Sequence, residues 1–325
     1  MRDKFGRRHD YLRISLTERC NLRCSYCMPE NGVPLTPKDN LMTASEVFQI
    51  ARVFTRLGVD KIRLTGGEPL VRKDAAEIIL SLSVLPVKLS ITTNGILIDR
   101  YIENFKEAGL SSLNLSLDTL KRDQFLKITK RDEFDTVLNN IDLLLAEGFH
   151  VKINVVVQKG VNEKEILDFI EWTKNEAVHI RFIEFMPFAG NSWNKESIFS
   201  YKDILNRVQA IHSVEKLSDK PHATSKAFKV KGYKGTFAVI SSMTDNFCAS
   251  CNRLRLTANG KMKNCLFSKG EADLLTSFRK GEVIESIIRQ CIQKKKAVHG
   301  GIENIQHLSD ADRDIKNRSM ILIGG

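Results

Sequence analysis

The segment YLRISLTERCNLRCSYC, residues 11–27, places a short apolar run directly before three closely spaced cysteines. The run predicts a strand over Leu12–Leu16. The cysteines, Cys20, Cys24 and Cys27, follow its carboxyl end after a few polar residues. A strand that ends in thiol ligands indicates an α/β protein whose chemistry lies at the carboxyl edge of a sheet.

Outward from this segment, apolar strands alternate with amphipathic helices to about residue 186. Thr43-Ala-Ser-Glu46 predicts a capping box that opens one helix, and Gly58 ends that helix. Such alternation is typical of parallel strands joined by right-handed crossovers. An open doubly wound sheet would also fit, but we predict a partial (β/α)6 TIM-type barrel, two strands short of closure. The predicted strands are Leu12–Leu16, Lys61–Thr65, Lys88–Thr92, Ser112–Leu117, Val151–Val157 and Ile180–Phe185.

Glycines and polar residues follow these strands, where both folds place their active sites. A chance arrangement would scatter them along the strands as well. We therefore expect one site at the carboxyl edge. The segments concerned are Gly66-Gly67-Glu68-Pro69, Thr92-Thr93-Asn94-Gly95, Ser116 with Asp118, and Glu184 with Met186.

The alternation decays after about residue 200. We predict a partial barrel over residues 1–214 and a smaller C-terminal region over 215–325, with a strand at Phe237–Ser241 and a helical stretch near 271–294. No Gly/Ser-rich linker separates the two parts, so we expect them to pack tightly.

Charge and hydropathy narrow the class of partner. The net charge of +11 favours an anionic partner, either nucleic acid or a phosphorylated small molecule. No stretch approaches the roughly 20 apolar residues that span a bilayer. The N-terminus lacks the apolar core of a signal peptide. We expect a soluble, cytoplasmic protein without a membrane partner.

Seven cysteines include two tight groups of three, which is unlike the disulfide framework of a short secreted chain. The groups favour metal sites, and Cys291 is left as a small core residue of a helix. The first group suits a cuboidal iron–sulfur cluster, because three thiolates on four irons leave one iron open. A zinc site completed by His9 is the alternative.

The second group comprises Cys248, Cys251 and Cys265. It also offers three thiolates, so it predicts a second cluster with an open iron. A zinc knuckle completed by His222 or His299 is the alternative reading. Arg253 and Arg255 follow directly, and their guanidinium groups suit the oxygens of a phosphate.

The spacing Cys-x3-Cys-x2-Cys, with Tyr26 before the last cysteine, resembles the signature of the radical S-adenosylmethionine superfamily. Gly66-Gly67-Glu68-Pro69 is similar to that superfamily's loop for the methionine amino group. The resemblance implies that the open iron chelates S-adenosylmethionine. It also implies reductive cleavage of the sulfonium to a 5′-deoxyadenosyl radical.

Over essentially its whole length the chain resembles the GTP 3′,8-cyclase family of molybdenum cofactor biosynthesis. The features that carry this resemblance are the second cysteine group, TGGEPL at 65–70, TTNG at 92–95, NLSLD at 114–118, IRFIEFM at 180–186 and the terminal Gly324-Gly325. It implies two [4Fe-4S] clusters, one on each cysteine group. The guanine of GTP would bind the open iron of the second.

The resemblance also implies roles for single residues. S-adenosylmethionine would contact Tyr26, Gly67, Ser116 and Met186. The first cysteines, Arg253 and Arg255 would be catalytic. The residues implied to bind GTP are Arg13, Arg63, Thr92, Lys152, Arg181, Arg253, Leu254 and Arg255.

Some of these residues have an alternative reading. Lys152 could lie at a sheet edge with its ammonium in solvent, and Thr92 could cap a strand. Met186 could be core packing. Gly324-Gly325 could be a frayed terminus, although in the family such a tail reaches toward the active site.

The resemblance implies that a radical at the ribose 3′ carbon attacks guanine carbon 8, and that cyclic pyranopterin monophosphate synthase takes the product. It implies an electron donor such as flavodoxin or ferredoxin, allows a homodimer and requires no nucleic acid.

Two alternatives stay open. One is a radical S-adenosylmethionine peptide maturase, although maturases usually bring more auxiliary cysteines. The other is a zinc-knuckle RNA-binding protein, with salt-sensitive affinity. Aromatic residues, at 7%, are few for single-strand binding.

Overall fold

A computed structural model describes residues 1–29, 31–301 and 318–324. Its strands are β1 (Tyr11–Ser15), β2 (Lys61–Thr65), β3 (Lys88–Thr93), β4 (Ser112–Ser116), β5 (His150–Val157), β6 (His179–Glu184), β7 (Val214–Lys216), β8 (Lys226–Val230), β9 (Thr236–Ile240), β10 (Arg253–Leu256), β11 (Lys261–Lys263) and β12 (Ala272–Asp273). Over these residues they form one sheet in the order β12-β11-β10-β1-β2-β3-β4-β5-β6-β9-β8-β7.

Helices connect the central strands and continue into the C-terminal region. They are α1 (Ala44–Arg56), α2 (Ala75–Ser83), α3 (Ile102–Glu107), α4 (Arg122–Thr129), α5 (Phe134–Ala146), α6 (Ile166–Asn175), α7 (Tyr201–Gln209), α8 (Leu275–Arg279), α9 (Glu285–Gln293) and α10 (Met320–Ile323). No helix in the described ranges has the length and apolar character to cross a membrane.

The predicted strands before residue 186 are all present, and their ends differ from the prediction by at most one residue. The predicted capping box is also confirmed. The Thr43 side chain accepts from the backbone of Glu46 at 3.2 Å, and the Glu46 carboxylate accepts from the Thr43 backbone at 2.8 Å. Gly58 follows α1 with a φ of +93°, a left-handed conformation that favours glycine.

The central strands β1 to β6 run parallel in sequence order, as a partial barrel requires. The C-terminal region adds parallel neighbours at both ends: β10 beside β1 and β9 beside β6. The sequence did not predict these pairings, because loops and antiparallel strands precede β9 and β10 in place of amphipathic helices. The sheet continues across residue 214, and the division into two parts there stays a prediction.

The C-terminal helical stretch was predicted too long. Residues 272–273 form β12, and α8 and α9 are separated at Gly281, whose φ is +75°. Cys291 lies buried in α9, with its sulfur 3.9 Å from the carbonyl oxygen of Met262.

The central strands alternate between two kinds of side chain. In β1, Leu12 and Ile14 are fully buried in the apolar core, whereas Tyr11 and Arg13 line a cavity. Parallel strands covered by helices on both faces usually read as continuous apolar runs. The polar positions therefore mark an inner face that curves around a cavity.

Candidate active site

One cavity of about 790 Å³ runs along the inner face of the sheet. Strands β1 to β6, β9 and β10 all contribute side chains to its wall. The cavity extends from Cys20, at the carboxyl end of β1, to Tyr11, at the start of that strand. A ligand in it would contact both ends of the partial barrel.

Contacts with the glycine loop after β2 hold the first cysteine loop. The amide of Gly67 donates to the Thr17 carbonyl at 2.7 Å, and the amide of Glu68 donates to the Arg19 carbonyl at 2.8 Å. A Cβ atom added to Gly67 would lie only 2.4 Å from the oxygen of Arg19. Glycine is therefore required for this close approach, which fixes the chain just before Cys20.

The end of α4 supports the other side of the loop. The amide of Arg23 donates to the Thr129 carbonyl at 2.8 Å, and that of Ser25 donates to the Ile128 carbonyl at 3.0 Å. Inside the cavity the hydroxyl of Tyr26 contacts Asp118. Burial raises the pKa of Asp118 to about 6, although Tyr26 and the Val156 amide oppose the shift.

Glu68 joins the loops after β2 and β3. Its buried carboxylate accepts from the amide of Leu70 at 3.1 Å, the hydroxyl of Thr93 at 2.8 Å and the amide of Asn94 at 2.7 Å. Burial raises the pKa of Glu68 to about 7 against these hydrogen bonds. The Asn94 side chain in turn donates to Asn21, within the cysteine loop, at 2.7 Å.

The donors of the first group fit an iron–sulfur cluster. Cys20, Cys24 and Cys27 are free thiols that line the cavity and interact electrostatically. Burial raises the pKa of Cys20 to about 11 and that of Cys27 to about 12. No three Cys, His, Asp or Glu side chains in residues 1–29, 31–301 and 318–324 are arranged to hold a metal ion. A four-iron cluster is larger than an ion, and cysteine thiolates are its ligands.

Cationic side chains line the middle and lower part of the cavity. The register pairs Arg13 of β1 with Arg63 of β2 on one side and with Arg255 of β10 on the other. Several buried positive charges close together repel one another, so this wall favours an anionic occupant. The lining cations include Arg13, Lys61, Arg63, Lys152, Arg181, Arg253 and Arg255.

Side-chain oxygens of tyrosine, threonine and asparagine accept hydrogen bonds from two of these cations. Arg63 donates to the Tyr11 hydroxyl at 2.5 Å and to Thr92 at 3.2 Å, and Arg181 donates to Asn154 at 2.5 Å. The Nε of Arg181 is buried without a hydrogen-bond partner among the described residues. Burial, reinforced by neighbouring cations, lowers the pKa of Arg181 to about 9 and that of Lys152 to about 8.

The second cysteine group lies at the start of β10. Cys248, Cys251 and Cys265 are free thiols, and Cys248 interacts electrostatically with the other two. None of the three lines the cavity, but Arg253, Phe247 and Leu266 beside them do. Each of the alternative zinc ligands uses one ring nitrogen in a hydrogen bond to a backbone carbonyl. Nδ1 of His222 lies 2.9 Å from the Ser250 carbonyl, and Nε2 of His299 lies 3.0 Å from the Ser242 carbonyl.

Two arginines tie this region to distant parts of the chain. Arg7, near the N-terminus, donates to the Cys248 carbonyl at 2.9 Å. Arg255 donates to the carbonyl of Gly324, which packs against Ser15 and Thr65 on the inner face. Gly325, the other half of the predicted tail, lies outside the described residues.

The residues predicted to bind S-adenosylmethionine or GTP line this cavity, apart from Leu254, and neither the second cysteines nor Glu184 lines it. Leu254 is fully buried in the apolar core on the opposite face of β10. Sequence reasoning missed Tyr11 and Lys61, which share the inner face with Arg13 and Arg63, and also Asn114 and Asn154. Their signal was a polar residue at every second position of an apolar strand.

Comparison with known proteins places this geometry in a family. The Radical SAM superfamily profile matches residues 14–173, and the Molybdenum Cofactor Synthesis C profile matches residues 178–301. The chain is 39% identical over 336 residues to a GTP 3′,8-cyclase of Listeria welshimeri serovar 6b, covering 100% of this chain and 99% of the relative.

Molybdenum cofactor biosynthesis protein 1 of Drosophila melanogaster is 50% identical over 304 residues, which are 91% of this chain and 54% of the relative. The chain thus spans about half the length of that relative. Among solved structures, Streptococcus suis SuiB bound to S-adenosylmethionine superposes with a TM-score of 0.60 at 16% identity, covering 83% of this chain and 65% of SuiB. This likeness supports the fold.

The superfamily match implies S-adenosylmethionine and a [4Fe-4S] cluster as cofactors, and the described cysteine loop offers suitable thiols. The Listeria relative matches nearly the whole chain, and the two domain profiles cover two segments that both line the cavity. The chain belongs to the GTP 3′,8-cyclase family of the radical S-adenosylmethionine superfamily.

Proposed function

We propose that this chain is a GTP 3′,8-cyclase that converts GTP to (8S)-3′,8-cyclo-7,8-dihydroguanosine 5′-triphosphate, the first step of molybdenum cofactor (molybdopterin) biosynthesis. The observation that carries the proposal is the cavity itself. It joins the first cysteine loop to a wall of arginines and lysines, two of which donate hydrogen bonds to hydroxyl and amide oxygens of neighbouring side chains. Such a wall suits a triphosphate.

Cys20, Cys24 and Cys27 would hold the first cluster, with Tyr26, Gly67, Ser116 and Met186 around S-adenosylmethionine. When bound, this cluster supplies the electron that cleaves the sulfonium of S-adenosylmethionine. Burial of the site excludes water and oxygen from radicals on the substrate. The inner face of the barrel orients the nucleotide so that its 3′ carbon and carbon 8 can be joined.

The cations of β1, β2, β5, β6 and β10 would hold the triphosphate. Arg13, Arg63 and Arg255 lie on adjacent strands, so their guanidinium groups converge from one side. Lys152 and Arg181 approach from β5 and β6 on the other side. Thr92 adds a hydroxyl, and Arg253 and Arg255 act as catalytic groups by contacting the reacting nucleotide.

We also propose a second [4Fe-4S] cluster on Cys248, Cys251 and Cys265, whose open iron binds the guanine. The donor set supports it, because three free cysteines lie together beside the cavity. Leu254 would contribute only through its backbone, since its side chain lies in the core. Gly324, held by Arg255, would complete the wall.

Product transfer to cyclic pyranopterin monophosphate synthase, reduction by flavodoxin or ferredoxin, a homodimer and a cytoplasmic location remain predictions. Part of the positive charge that favours an anionic partner lies inside the cavity, on the arginines and lysines of its wall.

Anaerobic reconstitution, with iron and sulfide counts, tests the cluster content. We expect about eight irons per chain, and about four after alanine replaces either cysteine group. Cys291→Ala is the control, because the buried Cys291 thiol contacts the carbonyl of Met262 and belongs to neither cysteine group, so the count should stay unchanged. Four irons in the unaltered chain would contradict the two-cluster proposal.

Turnover then tests the substrate. We expect 5′-deoxyadenosine and the cyclised nucleotide only when GTP, S-adenosylmethionine and a reductant are all present. Deoxyadenosine formation that needs a peptide in place of GTP would instead support the maturase alternative. A zinc-loaded, colourless protein would support the zinc-knuckle reading.

A further inference from the structure

Lys295 is the middle residue of the Lys294-Lys295-Lys296 run, and its burial separates it from its neighbours. Its exposed fraction is 2%, whereas Lys294 and Lys296 are exposed. Its ammonium donates to the sulfur of Cys251 at 3.6 Å and to the carbonyl of Arg253 at 3.0 Å. A buried lysine aimed at a cysteine sulfur is unusual, because burial without an anion is costly.

No carboxylate in the described residues forms a salt bridge with Lys295. Among the described residues, Cys251 is the contact that can balance the positive charge of the ammonium, as a thiolate or through an anionic group that it binds. A thiolate-ligated iron–sulfur cluster meets this need, since its ligands are deprotonated cysteines. The lysine is consequently placed for the metal-loaded protein.

The position of Lys295 is fixed on both sides. Its amide donates to the carbonyl of Ile292 at the end of α9, at 3.0 Å. The two residues that follow Lys295 are held by Arg7, which donates to the carbonyls of Lys296 and Ala297, both at 2.8 Å. A donor held in this way loses little freedom when it binds its acceptor.

The same segment donates to a second cysteine. The amide of His299 lies 3.5 Å from the sulfur of Cys248, and the buried His299 ring bonds to Ser242 at 3.0 Å. Residues 295–299 thus supply donors to two of the three sulfurs in the second group. Hydrogen bonds to cluster sulfurs are among the features that set a cluster's reduction potential.

From these contacts we infer that Lys295 is a positioning residue for the second cluster and raises its reduction potential through its charge and its hydrogen bond to Cys251. The reduced cluster carries one more electron than the oxidised cluster, so a nearby cation and donor stabilise the reduced form more strongly. The inference rests on the proposed second cluster, and it goes further by naming the group that tunes it.

The test is a potentiometric titration followed by electron paramagnetic resonance. The full chain carries alanine at Cys20, Cys24 and Cys27, so that the resonance signal comes from the second cluster alone. We expect Lys295→Met to shift the midpoint to a more negative potential, with Lys295→Gln intermediate. Lys295→Arg, which keeps charge and donors, should remain near the unaltered value.

Lys294→Met and Lys296→Met are matched controls, because each removes the same charge from an exposed neighbouring position. Equal midpoints for Lys295→Met and Lys296→Met would overturn the role of Lys295. If Lys295→Met retains no iron, equal midpoints for Lys295→Gln and Lys295→Arg would overturn it. A triple-alanine background that binds no iron would instead overturn the second cluster, and the inference with it.

Discussion

Arg13 on β1 and Arg63 on β2 occupy paired positions of adjacent parallel strands, and both line the same cavity. Neighbouring strands lie about 4.8 Å apart, so the two guanidinium groups start from closely spaced backbones. Burial, together with Arg63, lowers the pKa of Arg13 to about 10, although Tyr11 opposes the shift. The cavity wall therefore holds like charges whose repulsion an anionic ligand would relieve.

This relationship predicts opposite effects of Arg13→Met on binding and on stability. Loss of a charged hydrogen-bond donor should weaken GTP binding by about 1.5–3 kcal/mol, roughly ten- to hundredfold in Kd. Below pH 6, where Tyr11 keeps its proton, the thermal midpoint without nucleotide should stay the same or rise, because one repulsive charge is gone. Calorimetric titration and thermal unfolding measure the two effects. Arg100→Met, at an exposed position, is the control. A parallel loss of stability and binding would contradict the repulsion argument.

Tyr11 predicts a pH dependence inside the cavity. Burial would raise its pKa, but Arg63, Arg13 and Lys61 outweigh burial and lower the pKa to about 6. Between pH 6 and the ordinary value near 10, the folded state holds tyrosinate while the unfolded state keeps its proton. The unfolded state then binds more protons, so stability from this group rises across that window and is lost as the pH falls through 6.

The free energy of unfolding should therefore favour the unaltered chain over Tyr11→Phe increasingly from pH 6 to 10. Denaturant unfolding at several pH values checks this difference. Binding of GTP should raise the pKa of Tyr11, because the triphosphate offsets the lining cations. Tyrosinate absorbance at pH 8 should then fall on addition of GTP. A pH-independent difference between the two proteins would contradict the assignment.

The first half of the site follows from sequence because its residues are local. Cys20, Cys24 and Cys27 share one loop, and the alternation of β1 and β2 already places Arg13 and Arg63 on one face. The pairing of Arg13 with Arg255 could not be predicted in the same way. It joins β1 to a strand about 240 residues later, and no crossover helix precedes that strand.

The burial of side chains in the C-terminal region could not be predicted from the sequence either. Lys295 lies in a run of lysines that sequence reasoning treats as solvated surface, yet tertiary contacts with Cys251 and Arg253 enclose it. The burial of the Leu254 side chain was missed for a related reason. Its neighbours face the cavity, and the period of two along a strand turns its own side chain to the core.

We expect the substitution Gly67→Ala to cause loss of the first cluster. Its Cβ would lie 2.4 Å from the oxygen of Arg19, so the segment before Cys20 must move. We expect a loss of about 1–3 kcal/mol in the free energy of unfolding and reduced iron binding by the first group. Gly270→Ala is the control, since a Cβ there meets no atom within 4 Å in the described structure. Iron counts in a chain whose second cysteines are alanine provide the measurement. Full iron content in Gly67→Ala would contradict this requirement.

Arg7 and Arg8 are adjacent, but the structure predicts different roles for them. Arg7 is buried, pairs with Asp3 at 2.7 Å and bonds to the carbonyls of Cys248, Lys296 and Ala297. Arg8 is exposed and pairs with Asp10, which is mostly buried, and with the exposed Asp60. Removal of one partner from a buried ion pair costs about 3–5 kcal/mol, whereas an exposed pair contributes at most about 1 kcal/mol.

Arg7→Leu should therefore lower the free energy of unfolding by several kcal/mol and loosen the second cysteine loop. In a chain with alanine at the first three cysteines, we expect it to reduce the iron bound by the second group. Arg8→Leu, the matched control, should lower the free energy of unfolding by at most about 1 kcal/mol and leave the iron content unchanged. Denaturant unfolding and iron counts separate the two arginines. Equal stability and equal iron content for both variants would show that the N-terminal segment does not hold the loop. Loss of iron from Arg7→Leu alone would link residues 1–9 to a site about 240 residues away in the sequence.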